Sequence, residues 1–352
     1  MALVLSSLTE LARHGFDAVI DVRSPSEYAE DHLPGAVNLP VLNDAERARV
    51  GTIYKQQSPF LARKLGAALV ARNAAAHLEG PLSIMGGGWR PLVYCWRGGQ
   101  RSGSFATILT QVGWRVDLLH GGYKSWRRLV VEELQDRDVR APVVMLDGNT
   151  GSAKTEILGL LAQRGTQVID LEALANHRGS LFGHRAGGQP TQKAFEGRLA
   201  MALASLDPGR PVVVEAESSK VGNLVLPKRL WAAMGAAPRI RIAAPVEARA
   251  AYLARAYADL TEDRERLDET IALLRPLHAA EVIEAWGALA AAGDFAGLAE
   301  DLMRRHYDPR YNRHRDRFDA APGEVVEAPS LLPEALDGLA DKVLAAVGRH
   351  AG

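Results

Sequence analysis

The sequence predicts an α/β protein with two parallel-sheet domains, the second extended by helices. Three observations carry that expectation. Short apolar strands, at 18–22, 91–94 and 143–146, alternate with helical patterns, and such alternation builds the crossover units of a parallel sheet. The chain's single cysteine sits in a basic, glycine-rich loop, Val93-Tyr94-Cys95-Trp96-Arg97-Gly98-Gly99-Gln100-Arg101-Ser102, between a strand and a helix. A second glycine-rich loop, 148–155, follows another apolar strand and opens another helix. In open parallel sheets ligands bind at the carboxyl ends of the strands, which is where both loops fall.

The 352 residues suffice for two domains, each with its own core. Lys and Arg number 42, as do Asp and Glu, so no global basic field marks a polyanionic partner and any nucleic-acid contact must be local. One cysteine excludes an intramolecular disulfide and fits a reducing compartment. The first residues, Met1-Ala2-Leu3-Val4-Leu5, carry no basic leader region. No apolar run approaches the roughly 18 residues that span a bilayer, so a soluble cytoplasmic protein without a membrane partner is expected.

Taken in order, Ala18-Val19-Ile20-Asp21-Val22 reads as a short buried strand ending in Arg23-Ser24-Pro25-Ser26-Glu27-Tyr28. Ser24 or Ser26 can cap the next helix, with Pro25 in its first turn. Asp31-His32-Leu33-Pro34-Gly35-Ala36 is a tight turn into another strand. Residues 46–88 are mostly helical by pattern, with Leu61, Leu65, Leu69 and Val70 on one face and Lys55, Arg63 and Lys64 in solvent.

Then comes the Cys95 loop, which turns at a helix N-terminus. Free N–H groups and the helix dipole favour an anion there, and Arg97 and Arg101 add charge. Thiolates in such places titrate at roughly 3.5–7.5 instead of near 8.5, so Cys95 is expected to be a nucleophile. The strand Trp114-Arg115-Val116-Asp117-Leu118-Leu119 and the turn His120-Gly121-Gly122-Tyr123 close this first domain, placed at 1–135.

The second domain, 136–352, opens on Val143-Val144-Met145-Leu146, followed by Asp147, the loop Gly148-Asn149-Thr150-Gly151-Ser152-Ala153-Lys154-Thr155, and a helix carrying Ile157, Leu158, Leu160 and Leu161. Strand, loop and helix are the context of a P-loop, whose N–H groups close around phosphate while the Lys neutralises it and a Ser/Thr hydroxyl can hold Mg2+. The spacing matches GxxxxGK[ST] except that Ala153 stands at the second glycine. Phosphate binding is expected; ATP hydrolysis is left open. Glu215 or Glu217, at the end of the strand pattern 212–217, is a candidate acid, with a structural role equally open. His177, Arg178 and Ser180, in Asn176-His177-Arg178-Gly179-Ser180, suit a loop over an anionic ligand. From about 245 to 320 a helix-rich region carries Arg249, Tyr252, Arg255 and Tyr257, then His306-Tyr307-Asp308-Pro309-Arg310-Tyr311-Asn312-Arg313-His314-Arg315. Basic side chains interleaved with aromatics can grip phosphates and stack on bases. The segment 331–347 reads as a capping helix.

Asp21-Val22-Arg23, Glu27-Tyr28, the His32-Leu33-Pro34-Gly35-Ala36 turn, the Cys95 loop and Gly121-Gly122 with Trp126 together resemble a rhodanese domain over about residues 5–130. The resemblance implies that Cys95 carries sulfur or selenium. Arg101 lies six positions after Cys95, the Cys-x5-Arg spacing of cysteine phosphatases, where common sulfurtransferases have a six-residue loop. A wider loop offers more donors to a tetrahedral oxyanion, so a phosphate-bearing donor such as selenophosphate is expected.

With Asn176-His177-Arg178-Gly179-Ser180, Glu217-Ser218-Ser219-Lys220-Val221-Gly222 and Tyr307-Asp308-Pro309-Arg310-Tyr311 added, nearly the whole chain resembles the bacterial tRNA 2-selenouridine synthase family. That resemblance implies replacement of sulfur by selenium in wobble-position 2-thiouridine with selenophosphate, by way of S-geranylation from geranyl diphosphate. It also implies a tRNA partner, an enzyme that supplies selenophosphate, no tightly bound cofactor and no resident metal, with Mg2+ as a candidate co-substrate ion. Cys95 and Arg101 would serve selenium chemistry, framed by Trp96, Arg97, Gly98, Gly99 and Gln100. Residues 148–155 would hold the diphosphate. The rival readings are a nucleotide-dependent kinase or ATPase with a sulfur-carrying appendage, and a phosphatase-like module.

Overall fold

The computed structural model describes residues 2–12, 15–315 and 323–350, with only the backbone path at 12 and 312–315. The expected helical region at 245–320 therefore ends, at 316–320, outside the described residues. The side chains of Asn312, Arg313, His314 and Arg315 lie outside them too.

Two compact units form. One holds the chain up to Arg137 together with Pro190–Ser205; the other holds Asp138–Gln189 and the chain from Leu206. The division falls within two residues of the expected 135/136 boundary, but 190–205 departs from it. The helix Gln192–Ala204 buries Phe195 and Leu199 completely. It sits in the first unit through the Arg127–Glu196 ion pair, a Lys193–Glu30 contact of 2.5 Å and a Thr191 hydroxyl that donates to the Glu30 carbonyl. Periodicity reveals that a helix has an apolar face but not which core receives it.

In the first unit the strands β1 (Ala2–Leu3), β2 (Ala18–Asp21), β3 (Ala36–Asn38), β4 (Pro91–Tyr94) and β5 (Asp117–Leu119) make a parallel sheet in the order β1-β5-β4-β2-β3. All of β4 is buried, as a strand covered on both faces must be, with Pro91 at its first position where no ladder donor is lost. The chain leaves β2 towards one edge and β4 towards the other, so the crevice beyond their carboxyl ends is the switch point where such sheets bind ligands. The helix Pro59–Glu79 buries Leu69 and Val70, whereas Asp44–Gln56 before it buries no residue. Leu61, expected on the same face, is 49% exposed, because the buried face at this end of the helix is that of its neighbour Ala62, 1% exposed. Lys55, Arg63 and Lys64 are in solvent.

The second unit is built on β6 (Val143–Gly148), β7 (Gln167–Ile169), β8 (Val212–Glu215), the hairpin β9 (Lys220–Val221) with β10 (Leu224–Val225), β11 (Arg239–Ala243) and β12 (Gly323–Glu327). Its parallel sheet runs β12-β11-β6-β8-β7, with β6 central. The helix Pro333–His350, expected as a cap, packs Leu336, Leu339, Ala340, Val343 and Val347 into the same core as Val144, Leu146, Ile157 and Leu161. It covers a face of the sheet and does not close an end. A separate helical core gathers Leu260, Leu267, Ile271, Trp286, Leu298 and Leu302 around Phe182. Among the described residues no helix is long and apolar enough to cross a membrane.

Candidate active sites

Cys95 follows β4 directly, and the helix Gln100–Val112 begins after Gly99. The loop is shaped from below by Gly122, whose φ of 58° is left-handed and at which any side chain would overlap the Cys95 carbonyl oxygen and the Gly98 N–H. That carbonyl accepts from Tyr123 N–H at 2.8 Å, and the Trp96 carbonyl accepts from Lys124 N–H at 3.1 Å. Trp96 stacks on Tyr123, and the buried Arg23 lies 4.1 Å from the Tyr123 ring centroid while its guanidinium holds Asp21 at 2.6 Å. The loop thus rests on a fixed aromatic floor.

The thiol is 4% exposed. Burial pushes its pKa up, but the Ser102 hydroxyl at 3.2 Å, the Arg101 charge and the Gly99 N–H at 3.3 Å outweigh burial, and the net shift is downward. The two loop arginines, both expected to add charge, are differently engaged. Arg101 is bound to Glu27 at 2.7 Å, and Glu27 also takes Arg47 at 2.9 Å, so much of the Arg101 charge is spent on a carboxylate. Burial pushes Glu27 up, yet Arg101 holds it below its ordinary value. Arg97 is exposed and makes no side-chain hydrogen bond among the described residues. The thiolate is stabilised mainly by Ser102 and the loop's own N–H groups. Sequence reading missed Ser102 as a donor, although its place one helical turn into the loop signals it.

In the second unit, Thr150, Gly151, Ser152, Ala153, Lys154 and Thr155 line a cavity of about 560 Å3. Gly148 and Asn149, expected beside them, do not. Gly148 offers its carbonyl to Lys154 Nζ at 2.8 Å, and Asn149 donates to Asp308 at 3.0 Å. Ala153 has φ 60° and ψ 23°, the left-handed conformation that a glycine adopts without strain, and its methyl lies in the apolar core with Val144 and Ile157. The cost falls on the backbone, about 1–2 kcal/mol for an L-residue in this region.

Across from the loop, Glu172, Glu215 and Glu217 bring carboxylate oxygens within 4.8 Å of one another. Glu172 accepts from the Thr155 hydroxyl at 3.2 Å and offers its own N–H to Glu215 at 2.6 Å. The second Glu215 oxygen is buried without a hydrogen-bond partner. Burial, then the neighbouring Glu172 charge, pushes Glu217 up to about 8, with Lys154 opposing. Burial pushes Glu172 and Glu215 up as well. Of the two acids left open by the sequence, Glu217 faces the cavity and Glu215 is fully buried behind it. Glu172, three positions after the end of β7 at Ile169, was missed; a carboxylate beside a strand end was its signal.

Arg178 and Ser180 line the cavity as expected, but His177 does not. It is 3% exposed, accepts from Gly179 N–H at 3.1 Å and packs edge-on against His184, so it closes the loop and contacts no ligand space. Of the helical Arg and Tyr set, Arg249 and Tyr252 turn inward, whereas Arg255 is exposed and donates to the Leu331 carbonyl at 3.1 Å. Arg249 grips Asp308 at 2.8 and 3.0 Å and the Thr150 carbonyl at 3.1 Å, while Tyr252 is 8% exposed. Buried at these positions, they pin the phosphate loop, and Arg249 is no grip for nucleic acid. Tyr257, Tyr307, Arg310 and Tyr311 line the cavity, with Tyr311 5.5 Å from Lys154 Nζ across its ring. Sharing Thr150, Ser180, Leu253, Tyr257 and Tyr307 with this cavity is an almost wholly apolar cleft of about 70 Å3, walled by Phe295, Leu298, Leu302 and Met303.

Comparison with known proteins agrees with this division. Residues 5–129 match the model of the rhodanese-like domain, and residues 141–272 match that of the tRNA 2-selenouridine synthase AAA domain. A tRNA 2-selenouridine synthase of Hahella chejuensis is 34% identical over 329 residues, covering 83% of this chain and 84% of that protein. Those of Alcanivorax borkumensis and Bdellovibrio bacteriovorus are 38% and 39% identical over 237 residues; each match covers 66% of this chain, and 64% and 62% of the respective relatives. Sharing both domains with these proteins, and aligned along most of the Hahella chain, the protein belongs to the tRNA 2-selenouridine synthase family.

Proposed function

We propose that the protein is a tRNA-modifying transferase that replaces sulfur by selenium in wobble-position 2-thiouridine, with an S-geranylated intermediate. The family supports the selenium exchange and the tRNA substrate. The geranyl step rests on one observation: the apolar cleft that opens from the phosphate-binding cavity. A kinase needs room for a nucleotide base and a phosphoryl acceptor beside its phosphate loop; a greasy slot there suits a hydrocarbon attached to diphosphate. The cleft is narrow as it stands, so a full geranyl chain requires side chains such as Met303 to move, which an unbranched thioether does readily.

In this reading the thiocarbonyl sulfur of the uridine attacks the first carbon of geranyl diphosphate, and the carbon–oxygen bond breaks. Lys154, Thr155 and the N–H groups of residues 150–155 hold the departing diphosphate, whose growing charge they stabilise. Glu172, Glu217 and Thr155 fit a Mg2+ ion, since three carboxylates converge there and one Glu215 oxygen lacks a partner. Bound there, Mg2+ would neutralise the leaving diphosphate. The selenium of selenophosphate then attacks C2 of the modified base and geranyl thiol leaves, after which water takes the phosphoryl group as inorganic phosphate and the selenium stays on C2. Cys95, with its depressed pKa, is the group that assists that delivery. A selenophosphate-supplying enzyme is the implied partner, and the cytoplasm, where such tRNA is used, the implied compartment.

The test is nucleoside analysis of 2-thiouridine tRNA after incubation with geranyl diphosphate alone. Geranylated thiouridine formed by wild type and lost in Lys154→Ala supports the reading. ATP consumption with untouched tRNA replaces it by the kinase reading.

A further inference from the structure

We propose that Arg310 binds a phosphate group of the substrate in this cavity and that His306 is its positioning residue. The assignment rests on the donor and acceptor named above and deepens them by adding a second anion contact apart from the phosphate loop.

The cations lining the cavity are differently engaged. Lys154 is bonded to the Gly148 carbonyl, Arg178 is paired with Asp259 at 2.8 Å, and Arg239 lies 3.7 Å from Asp147. Arg185 pairs with no carboxylate among the described residues, but its Nε is buried without a hydrogen-bond partner and nothing orients its guanidinium. Arg310 pairs with no carboxylate among the described residues. Its Nη1 instead donates to His306 Nε2 at 3.2 Å, and His306 Nδ1 meets His278 Nε2 at 2.9 Å. A guanidinium is a donor only, so His306 Nε2 must accept, its Nδ1 must carry the proton, and that proton goes to His278. The chain His278, His306, Arg310 is therefore consistent with one tautomer of each ring.

An acceptor that is neutral fixes the direction of an arginine without cancelling its charge. A carboxylate would have done both. His306 is 4% exposed, held by the Tyr307 ring edge at 4.8 Å and by His278, which itself packs on Trp286 at 4.8 Å. Burial, and then the charges of Arg310 and His278, lower its pKa to about 4, so it stays an acceptor across the physiological range. Arg310 itself is exposed to the cavity, and the next residue, Tyr311, covers Lys154. A fully charged, oriented fork beside a phosphate loop is suited to bidentate phosphate binding. Both the diphosphate donor and the tRNA backbone carry such groups.

The experiment measures, on the full chain, the affinities of inorganic diphosphate and of 2-thiouridine tRNA for wild type, Arg310→Ala, Arg310→Lys, His306→Gln and His306→Leu, with thermal unfolding alongside. Arg310→Ala should weaken one ligand about tenfold or more at unchanged melting temperature. Loss of diphosphate assigns the contact to the donor; loss of tRNA, with a salt slope smaller by about one, assigns it to the backbone. Arg310→Lys should recover part of the loss. His306→Gln, which still offers an oxygen acceptor, should bind near wild type, and His306→Leu should behave as Arg310→Ala. Wild-type affinity for both ligands in Arg310→Ala overturns the assignment, and equal losses in both His306 variants overturn the positioning role. An inactive wild type would instead count against the proposed reaction, leaving these affinities readable.

Discussion

Lys154 Nζ donates to the carbonyl oxygen of Gly148 at 2.8 Å, closing the phosphate loop upon itself. The lysine is also beside Tyr311, Glu217, Glu172 and Asp147, which together raise its pKa above the ordinary value against the opposing effect of burial. It is thus a permanent cation whose local partner is a neutral carbonyl, which an incoming phosphate can replace at small cost. Lys154→Ala should lower diphosphate affinity by about 30-fold or more, from loss of a charge-assisted bond worth about 2 kcal/mol or more, as calorimetry would show. Unchanged affinity would place the diphosphate elsewhere.

Ala153→Gly tests the strained position. Relief of the left-handed backbone, about 1–2 kcal/mol, is offset by loss of a buried methyl worth about 0.8 kcal/mol and by glycine's larger unfolded-state entropy. The variant should melt within a few degrees of wild type and bind diphosphate at least as well. A large fall in affinity would mean that the methyl contributes to the loop's ligand geometry.

For Cys95, the rate of alkylation should rise with pH around a midpoint below that of an ordinary thiol, since the net shift is downward. Ser102→Ala removes a donor 3.2 Å from the sulfur and should move that midpoint up. A midpoint unmoved by the change would transfer the effect to Arg101 and the loop N–H groups.

Much of this was legible in the sequence. The two strand–loop–helix motifs announced themselves because phosphate and thiolate sites impose fixed spacings on glycine, lysine and cysteine. His177 and Arg249 were seen but misassigned, and Arg101 carries a partner that the sequence did not name. Sequence shows a charge or an imidazole, whereas its task is set by partners distant along the chain, such as Glu27 for Arg101 and Asp308 for Arg249. The apolar cleft was invisible for the same reason: Phe182, Leu253 and Met303 are far apart along the chain, and only the fold brings them to one wall. Helix Gln192–Ala204 shows the limit for domain boundaries, since nothing in its period names its host unit.

Glu217 gives the fold a pH dependence. With its folded pKa at about 8 and an unfolded value near ~4.3, the folded protein holds this proton more tightly. Its contribution to stability is full at low pH and is lost as pH rises from about 4.3 to about 8. In the presence of a chelator, Glu217→Gln should flatten the fall in melting temperature over that window. An identical slope would show that Glu217 is ionised in the fold.

The Arg249–Asp308 pair ties the helical region to the Thr150 carbonyl. Because Arg249 is 6% exposed, removing Asp308 alone leaves a nearly buried charge and should cost about 3–5 kcal/mol in chemical unfolding. The double variant Arg249→Met with Asp308→Leu should cost less than the sum of the singles. Additive losses would show that the two side chains act independently.

The most direct measurement is mass spectrometry of nucleosides from 2-thiouridine tRNA incubated with geranyl diphosphate and selenophosphate, for wild type, Cys95→Ala and Lys154→Ala. The account predicts 2-selenouridine from wild type, accumulation of the geranylated nucleoside with Cys95→Ala, and untouched thiouridine with Lys154→Ala. Selenouridine formed by Lys154→Ala at the wild-type rate, with no geranylated species at any time, would contradict it.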